Sequence, residues 1–125
     1  MMAVFHGIIP LFRIFDVEKA KSFYLDYLGF KLDWDQGPSE GLPTYMQISL
    51  ETCTIHLTEH YGDCTPGAAI RIEVQGIERL HAELLGKNYL FSRPGIEVTP
   101  WDSREVTVLD PFGNRITFYE NDSIG

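Results

Sequence analysis

The sequence predicts an α+β fold made of two βαβββ modules in tandem, and three observations carry that prediction. First, the chain repeats itself about sixty residues apart. Ile14-Phe15-Asp16-Val17-Glu18 opens an amphipathic run that closes at Leu28-Gly29-Phe30, and Val74-Gln75-Gly76-Ile77-Glu78 opens another that closes near Asn88-Tyr89-Leu90. Second, the apolar spacing within each half changes from strand-like runs to a helical period and back. Third, clusters of Gly, Pro, Asp and Asn separate these runs where turns are needed. Module one spans about residues 4–62 and module two about 67–121 of the 125.

In module one, Gly7 to Phe15 is rich in Ile, Leu and Phe and reads as a strand, kinked or at an edge because of Pro10. Asp16 is placed to cap a helix whose inner face is Val17, Ala20, Phe23, Tyr24, Tyr27 and Leu28, with Gly29 as the residue that ends it. Phe30 to Trp34 follows as a strand, with Phe30, Leu32 and Trp34 expected on one face. Gln36 to Pro43 is a loop. Tyr45–Leu50 and Cys53–Thr58 are strands joined at Glu51-Thr52, and Gly62 to Gly67 links the modules.

Module two repeats the order. Ala68–Val74 is its first strand, and Glu78–Leu85 its helix, with Ile77, Leu80, His81, Leu84 and Leu85 in phase. Arg93-Pro94-Gly95 is a loop. Val106–Leu109 and Arg115–Tyr119 are strands joined by Asp110-Pro111-Phe112-Gly113-Asn114, whose residue types suit a tight turn.

Composition narrows the function. A hydrophobic fraction of 44% and an aromatic fraction of 13% suit a packed core. No apolar run reaches the roughly 18 residues that would span a membrane. The N-terminus lacks the basic and long apolar segments of an export signal, so the expected address is the cytoplasm, with Cys53 and Cys64 as free thiols. A net charge of −8 disfavours nucleic acid, whose binders neutralise phosphates with basic surfaces. It suits a cationic small molecule instead. Asp33, Asp35, Glu40, Glu59, Asp63, Glu97, Asp102 and Glu105 are the acids available to rim a cleft. For any one of them, ordinary solvated charge is the leading reading.

His56-Leu57-Thr58-Glu59-His60 spells the H-x-x-E-H of a class of zinc peptidases, which works only on a helix. Here it follows the β-favouring run Thr52-Cys53-Thr54-Ile55. On a strand the two imidazoles share a side but lie roughly 13 Å apart, too far for one ion. No zinc site is expected. His56 reads as a pocket wall and His60 as a surface residue. No nucleophile motif and no glycine-rich phosphate loop occurs.

Ile9-Pro10-Leu11-Phe12-Arg13-Ile14-Phe15-Asp16-Val17, Phe23-Tyr24, Leu28-Gly29-Phe30 and Asp110-Pro111-Phe112-Gly113-Asn114 together resemble the glyoxalase/bleomycin-resistance, or vicinal oxygen chelate, superfamily. The match runs over nearly the whole chain. Pro100-Trp101, Arg104-Glu105, the Asp110 turn and Thr117-Phe118 form a more specific series, similar to bleomycin-binding resistance proteins. The resemblance implies curled mixed sheets and a homodimer. In the superfamily's enzymes a divalent metal sits between first- and last-strand residues of each module. Those positions read here as Ile9, His56, Ala69 and Thr117, of which only His56 is a good donor, and one imidazole cannot hold a catalytic metal. Neither a metal nor any other cofactor is therefore expected.

The resemblance further implies that Trp101 stacks on a flat ligand, with Tyr45 as the second aromatic. His56, Arg104, Glu105, Asp102 and Phe118 complete the expected ligand-binding set. Packing alone is the second reading of Trp101, and Arg104 and Glu105 could simply pair or pin their loop. The leading expectation is a non-catalytic protein that sequesters a cationic aromatic antibiotic in a groove at the dimer interface. The alternatives are a metal-dependent lyase or ring-cleaving dioxygenase of the same fold, or a binder of an unrelated metabolite.

Overall fold

The computed structural model describes residues 2–36, 43–89 and 92–122. Two four-stranded mixed sheets form, ordered β1-β4-β3-β2 and β5-β8-β7-β6. In chain order the first holds β1 (Leu11–Arg13), β2 (Lys31–Gln36), β3 (Tyr45–Leu50) and β4 (Cys53–Thr58). The second holds β5 (Ala69–Glu73), β6 (Ile96–Val98), β7 (Ser103–Leu109) and β8 (Arg115–Asn121). Helix α1 (Val17–Lys21) follows β1 and helix α2 (Ile77–Gly86) follows β5. Only β1–β4 and β5–β8 pair in parallel. This is the tandem βαβββ architecture that the sequence predicts. The repeat reaches individual bonds: Ile14 N donates to Thr58 O, and Val74 N donates to Tyr119 O, each at 2.9 Å.

Asp16 caps α1 as expected, its carboxylate accepting from Lys19 N at 2.9 Å. The helix then differs from a regular one. From Ser22 to Tyr27 it is π-helical, closed by Leu28 N donating to Phe23 O. The wider turn brings Phe23, Tyr24, Tyr27 and Leu28 inward together, all buried. Gly29 follows at φ +86, a conformation that a side chain resists.

Three strand expectations need correction. Gly7–Phe15 contributes only Leu11–Arg13 to β1, because Pro10 has no N–H for a ladder; residues 2–9 are exposed, and Pro10 serves as an acceptor for His56 N at 3.0 Å. The first strand after the second helix, expected but not located in the sequence, is β6, and β7 begins at Ser103 rather than Val106. Finally, β2 carries a bulge between Leu32 and Trp34. Leu32 lies opposite Ile48, whereas Trp34 lies opposite Gln47, so Trp34 leaves the face of Leu32 and joins the other. The expected loop from Gln36 to Pro43 and the run end at Leu90 fall largely outside the described residues.

Both sheets press one face on the helices. Phe12, Met46, Ile48, Ile55, Leu57, Val106, Val108, Ile116 and Phe118 join Ala20, Phe23, Tyr24 and Leu84 in one apolar cluster. A polar brace ties the modules. Asp110 accepts from Phe112 N, Asn114 N and Asn114 Nδ2, each at 2.8 Å, and from the Tyr24 hydroxyl at 2.7 Å. Asn114 Nδ2 also donates to Arg13 O. Lys87, just past α2, donates to Asp26 O and Tyr27 O at the open end of the π-helical turn. Cys53 and Cys64 are free thiols. Among the described residues no helix is long and apolar enough to cross a membrane.

Candidate functional site

Alternation along the strands leaves each sheet a second face, away from the helices. Cross-strand partners share a face, so Tyr45, Gln47 and Ser49 on β3 stand beside Thr58, His56 and Thr54 on β4, with Leu11 next to His56. The bulge adds Trp34 to this group. Its ring lies parallel to that of Tyr45, 6.0 Å between centroids and 10° between planes. His56 stands edge-on to both, 5.5 Å from Trp34 and 5.2 Å from Tyr45. His60 flanks Tyr45 at 6.2 Å. The result is an aromatic shelf with Trp34 still 39% exposed.

A hydrogen-bonded line runs behind the shelf. The Tyr45 hydroxyl lies 2.7 Å from His56 Nδ1, and His56 Nε2 lies 2.9 Å from Gln47 Oε1. Gln47 Nε2 donates to Asp33 Oδ2, and Ser49 Oγ donates to Asp33 Oδ1. Those two donors hold the Asp33 carboxyl below its usual range. Burial lowers the His56 pKa, which favours the neutral imidazole. Burial, then the charges of Asp63 and Cys64, raises that of the Tyr45 phenol.

The open face of the second sheet carries a separate cluster. Arg71 Nη2 donates to Glu105 Oε2 at 2.7 Å, and its guanidinium lies over the Tyr119 ring at 4.7 Å. Ser103 Oγ also donates to Glu105, and the Trp101 indole N–H approaches it. The Arg71 hydrogen bond is the largest of the influences that depress the Glu105 pKa. Trp101 itself projects from the β6–β7 hairpin, 64% exposed. That hairpin is held firmly: Thr99 Oγ1 and Ser103 Oγ lie 2.7 Å apart in a buried pair, and Asp122 N donates to Asp102 O. Asp102 sits at φ +61, which an Asp tolerates better than most residues.

The predicted site residues therefore separate. Tyr45 and His56 meet on the first sheet, and Trp101, Asp102 and Glu105 gather on or beside the second. Arg104 and Phe118 do not belong with either group. Phe118 lies opposite Val106 on the helix-facing side and is buried at the floor of a cleft of about 810 Å³ between the modules. Arg104 also faces that side. It pairs with Glu78 of α2, Glu120 and Asp122 rather than with Glu105. Strand alternation explains both, since a residue next to a face-lining neighbour points the other way. Trp34, Gln47, Arg71 and Tyr119 were missed, and Asp33 was named only among the acids that could rim a cleft. Gln47 could have been found two residues beyond Tyr45 on an alternating strand. Trp34 could not, because its side depends on the bulge.

The residues at the family's metal positions do not fit a catalytic metal. The register sets Leu11, not Ile9, beside His56, while Arg71 and Thr107 flank Thr117 and Ala69 lies opposite Arg115. Both nitrogens of His56 are already engaged. Among the described residues no three His, Cys, Asp or Glu side chains are grouped to hold an ion. The H-x-x-E-H run lies on β4 and the segment after it, not on a helix.

Comparison with known proteins agrees with this architecture. A bleomycin resistance protein of Staphylococcus aureus is 28% identical over 130 residues, covering 90% of this chain and 94% of that one, and that of Geobacillus stearothermophilus matches to the same extent. Among solved structures, the bleomycin-binding protein of Streptomyces verticillus in complex with copper(II)-bleomycin aligns with a TM-score of 0.68 at 28% identity, over 98% of this chain and all of the other. TnmS3, an antibiotic-binding protein of Streptomyces sp. CB03234, aligns with a TM-score of 0.72 at 23% identity over 98% of this chain and all of its own, a likeness of fold. The family model described as glyoxalase superfamily protein matches residues 2–125, and on that match and the paired βαβββ sheets the chain belongs to the glyoxalase superfamily.

Proposed function

We propose that this protein captures a flat, cationic, bleomycin-like antibiotic without turning it over, and so confers resistance by sequestration. One observation carries the reading: an open shelf of parallel Trp34 and Tyr45 rings on one sheet, matched by an exposed Trp101 on the other. Two aromatic surfaces can sandwich a planar group between them. They stand on separate sheets, so a groove between two copies of the chain would let the first sheet of one face the second sheet of its partner. The similarity to a protein solved with copper(II)-bleomycin supports the ligand class. The acid-rich balance of −8 supports the cationic character.

Titration calorimetry with metal-free and copper-bound bleomycin tests this. Saturable binding with one ligand per chain is expected. Trp101→Ala and Trp34→Ala should each weaken it by roughly tenfold or more, as loss of a stacked ring does. No heat at micromolar protein would overturn the reading.

A further inference from the structure

With the neutral imidazole that burial favours, the hydrogen-bonded line along the shelf has one consistent set of proton positions, and its anchor determines them. The Asp33 carboxylate can only accept, so the Gln47 amide must turn its NH₂ toward it, at 3.1 Å. That leaves Gln47 Oε1 facing His56, so the His56 proton sits on Nε2. A neutral imidazole protonated there has Nδ1 as a bare acceptor, and the Tyr45 hydroxyl must donate to it across 2.7 Å.

The phenol's single proton is then spent inward. What the Tyr45 oxygen shows to the groove is a lone pair only, beside the electron-rich faces of two stacked rings. The charged and titratable groups around it, element by element, are Lys31 and Asp33 on β2, His60, Asp63 and Cys64 after β4, and Arg13 on β1. Of the two cations, Lys31 pairs with Asp33 Oδ1 at 3.6 Å, and the Arg13 guanidinium is turned over the Phe15 ring at 4.7 Å.

We infer that the Asp33–Gln47–His56–Tyr45 line fixes the Tyr45 oxygen as an acceptor at the aromatic shelf, so that the shelf selects the N–H-bearing, positively charged edge of a planar ligand and rejects an anionic one of the same shape. Tyr45 is then a specificity-determining contact, and Gln47 and His56 are positioning residues that act through it. The inference rests on the capture reading for the presence of a ligand, and adds which edge of that ligand enters first.

The test uses the full chain and two tricyclic probes, proflavine (cationic, with amino donors) and anthracene-2-carboxylate, followed by tryptophan quenching near neutral pH. Proflavine is expected to bind roughly tenfold more tightly. In Tyr45→Phe, which keeps the ring, that preference should fall several-fold while calorimetry still detects bleomycin. Long-range ¹⁵N NMR on labelled His56 should show Nε2 protonated and Nδ1 not. A His56 with its proton on Nδ1 would overturn the inference, as would a preference unchanged in Tyr45→Phe, since net charge alone would then explain it. A protein that binds bleomycin but does not discriminate between the dyes overturns the inference and leaves capture standing. One that binds none of the three overturns both.

Discussion

At the scale of single residues, Asp110 does more than its place in a turn suggests. As an opener of Asp-Pro-Phe-Gly-Asn it needs only to bond its own turn, and it does so with Phe112 N and Asn114 N. Yet its second oxygen takes the Tyr24 hydroxyl from the other module, at 2.7 Å in a buried setting. Burial first, then the Asp110 charge and hydrogen bond, drives the Tyr24 pKa upward, so the phenol remains a donor. Asp110→Ala strands that hydroxyl and two backbone N–H groups away from water. It should cost about 3 kcal/mol in urea unfolding. Tyr24→Phe should cost about 1 kcal/mol, and the double variant less than the sum of the two. Additive effects would show that the brace does not act as a unit. The turn was legible in the sequence because its residue types suit only such a geometry. The bond to Tyr24, 86 residues away, was not, since nothing local marks a partner on another element.

At the scale of elements, α2 shows how a helix can be capped from outside its own segment. Its N-cap is Gly76 at φ +89, which has no side chain to satisfy the first N–H groups. Glu120 of β8 supplies the acceptor, bonding Gly76 N at 3.2 Å and Ile77 N at 3.0 Å, while Arg104 holds Glu120 from the side at 3.5 Å. The Ile77 bond, followed by that to Gly76 and the charge of Arg104, pulls the Glu120 pKa below its ordinary value. A carboxylate whose folded pKa lies below its unfolded one stabilises above the unfolded value, and that contribution is lost as pH falls through the folded one. The melting temperature should therefore fall as pH drops below the ordinary glutamate range, and Glu120→Gln should flatten that fall while lowering the plateau. A variant that keeps the wild-type acid profile would contradict this. Such devices limit what periodicity can reveal. The helices, β3 and β4 were legible because their apolar spacing is regular and Asp16 and Gly29 punctuate α1. The bulge that moves Trp34, the π-helical turn and the three-residue β6 all come from packing between elements, which no local pattern records.

At the scale of the whole molecule, the exposed surfaces bear on the proposed second copy. Met2, Val4, Phe5 and Ile8 are 90%, 73%, 93% and 90% exposed, and they lie directly before β1, an edge strand with one neighbour. An apolar arm of this kind gains little by staying in water, since burying each such side chain is worth about 1.5 kcal/mol or more. The Trp34–Tyr45 shelf on one sheet and Trp101 beside the other are also open, and the proposed groove needs both. If the arm clasps a partner, one deletion should disrupt assembly and ligand capture together. Removing residues 2–9 leaves the core cluster and the Asp110 brace intact. The truncated chain should therefore fold with nearly the full-length circular dichroism spectrum, yet sediment as a monomer, with the full-length chain expected to sediment as a dimer. Its affinity for bleomycin should fall at least tenfold with it. A truncated chain that still sediments as a dimer would assign the interface to the sheet faces. A monomer that binds as well as the full chain would place both aromatic walls of the groove within one copy.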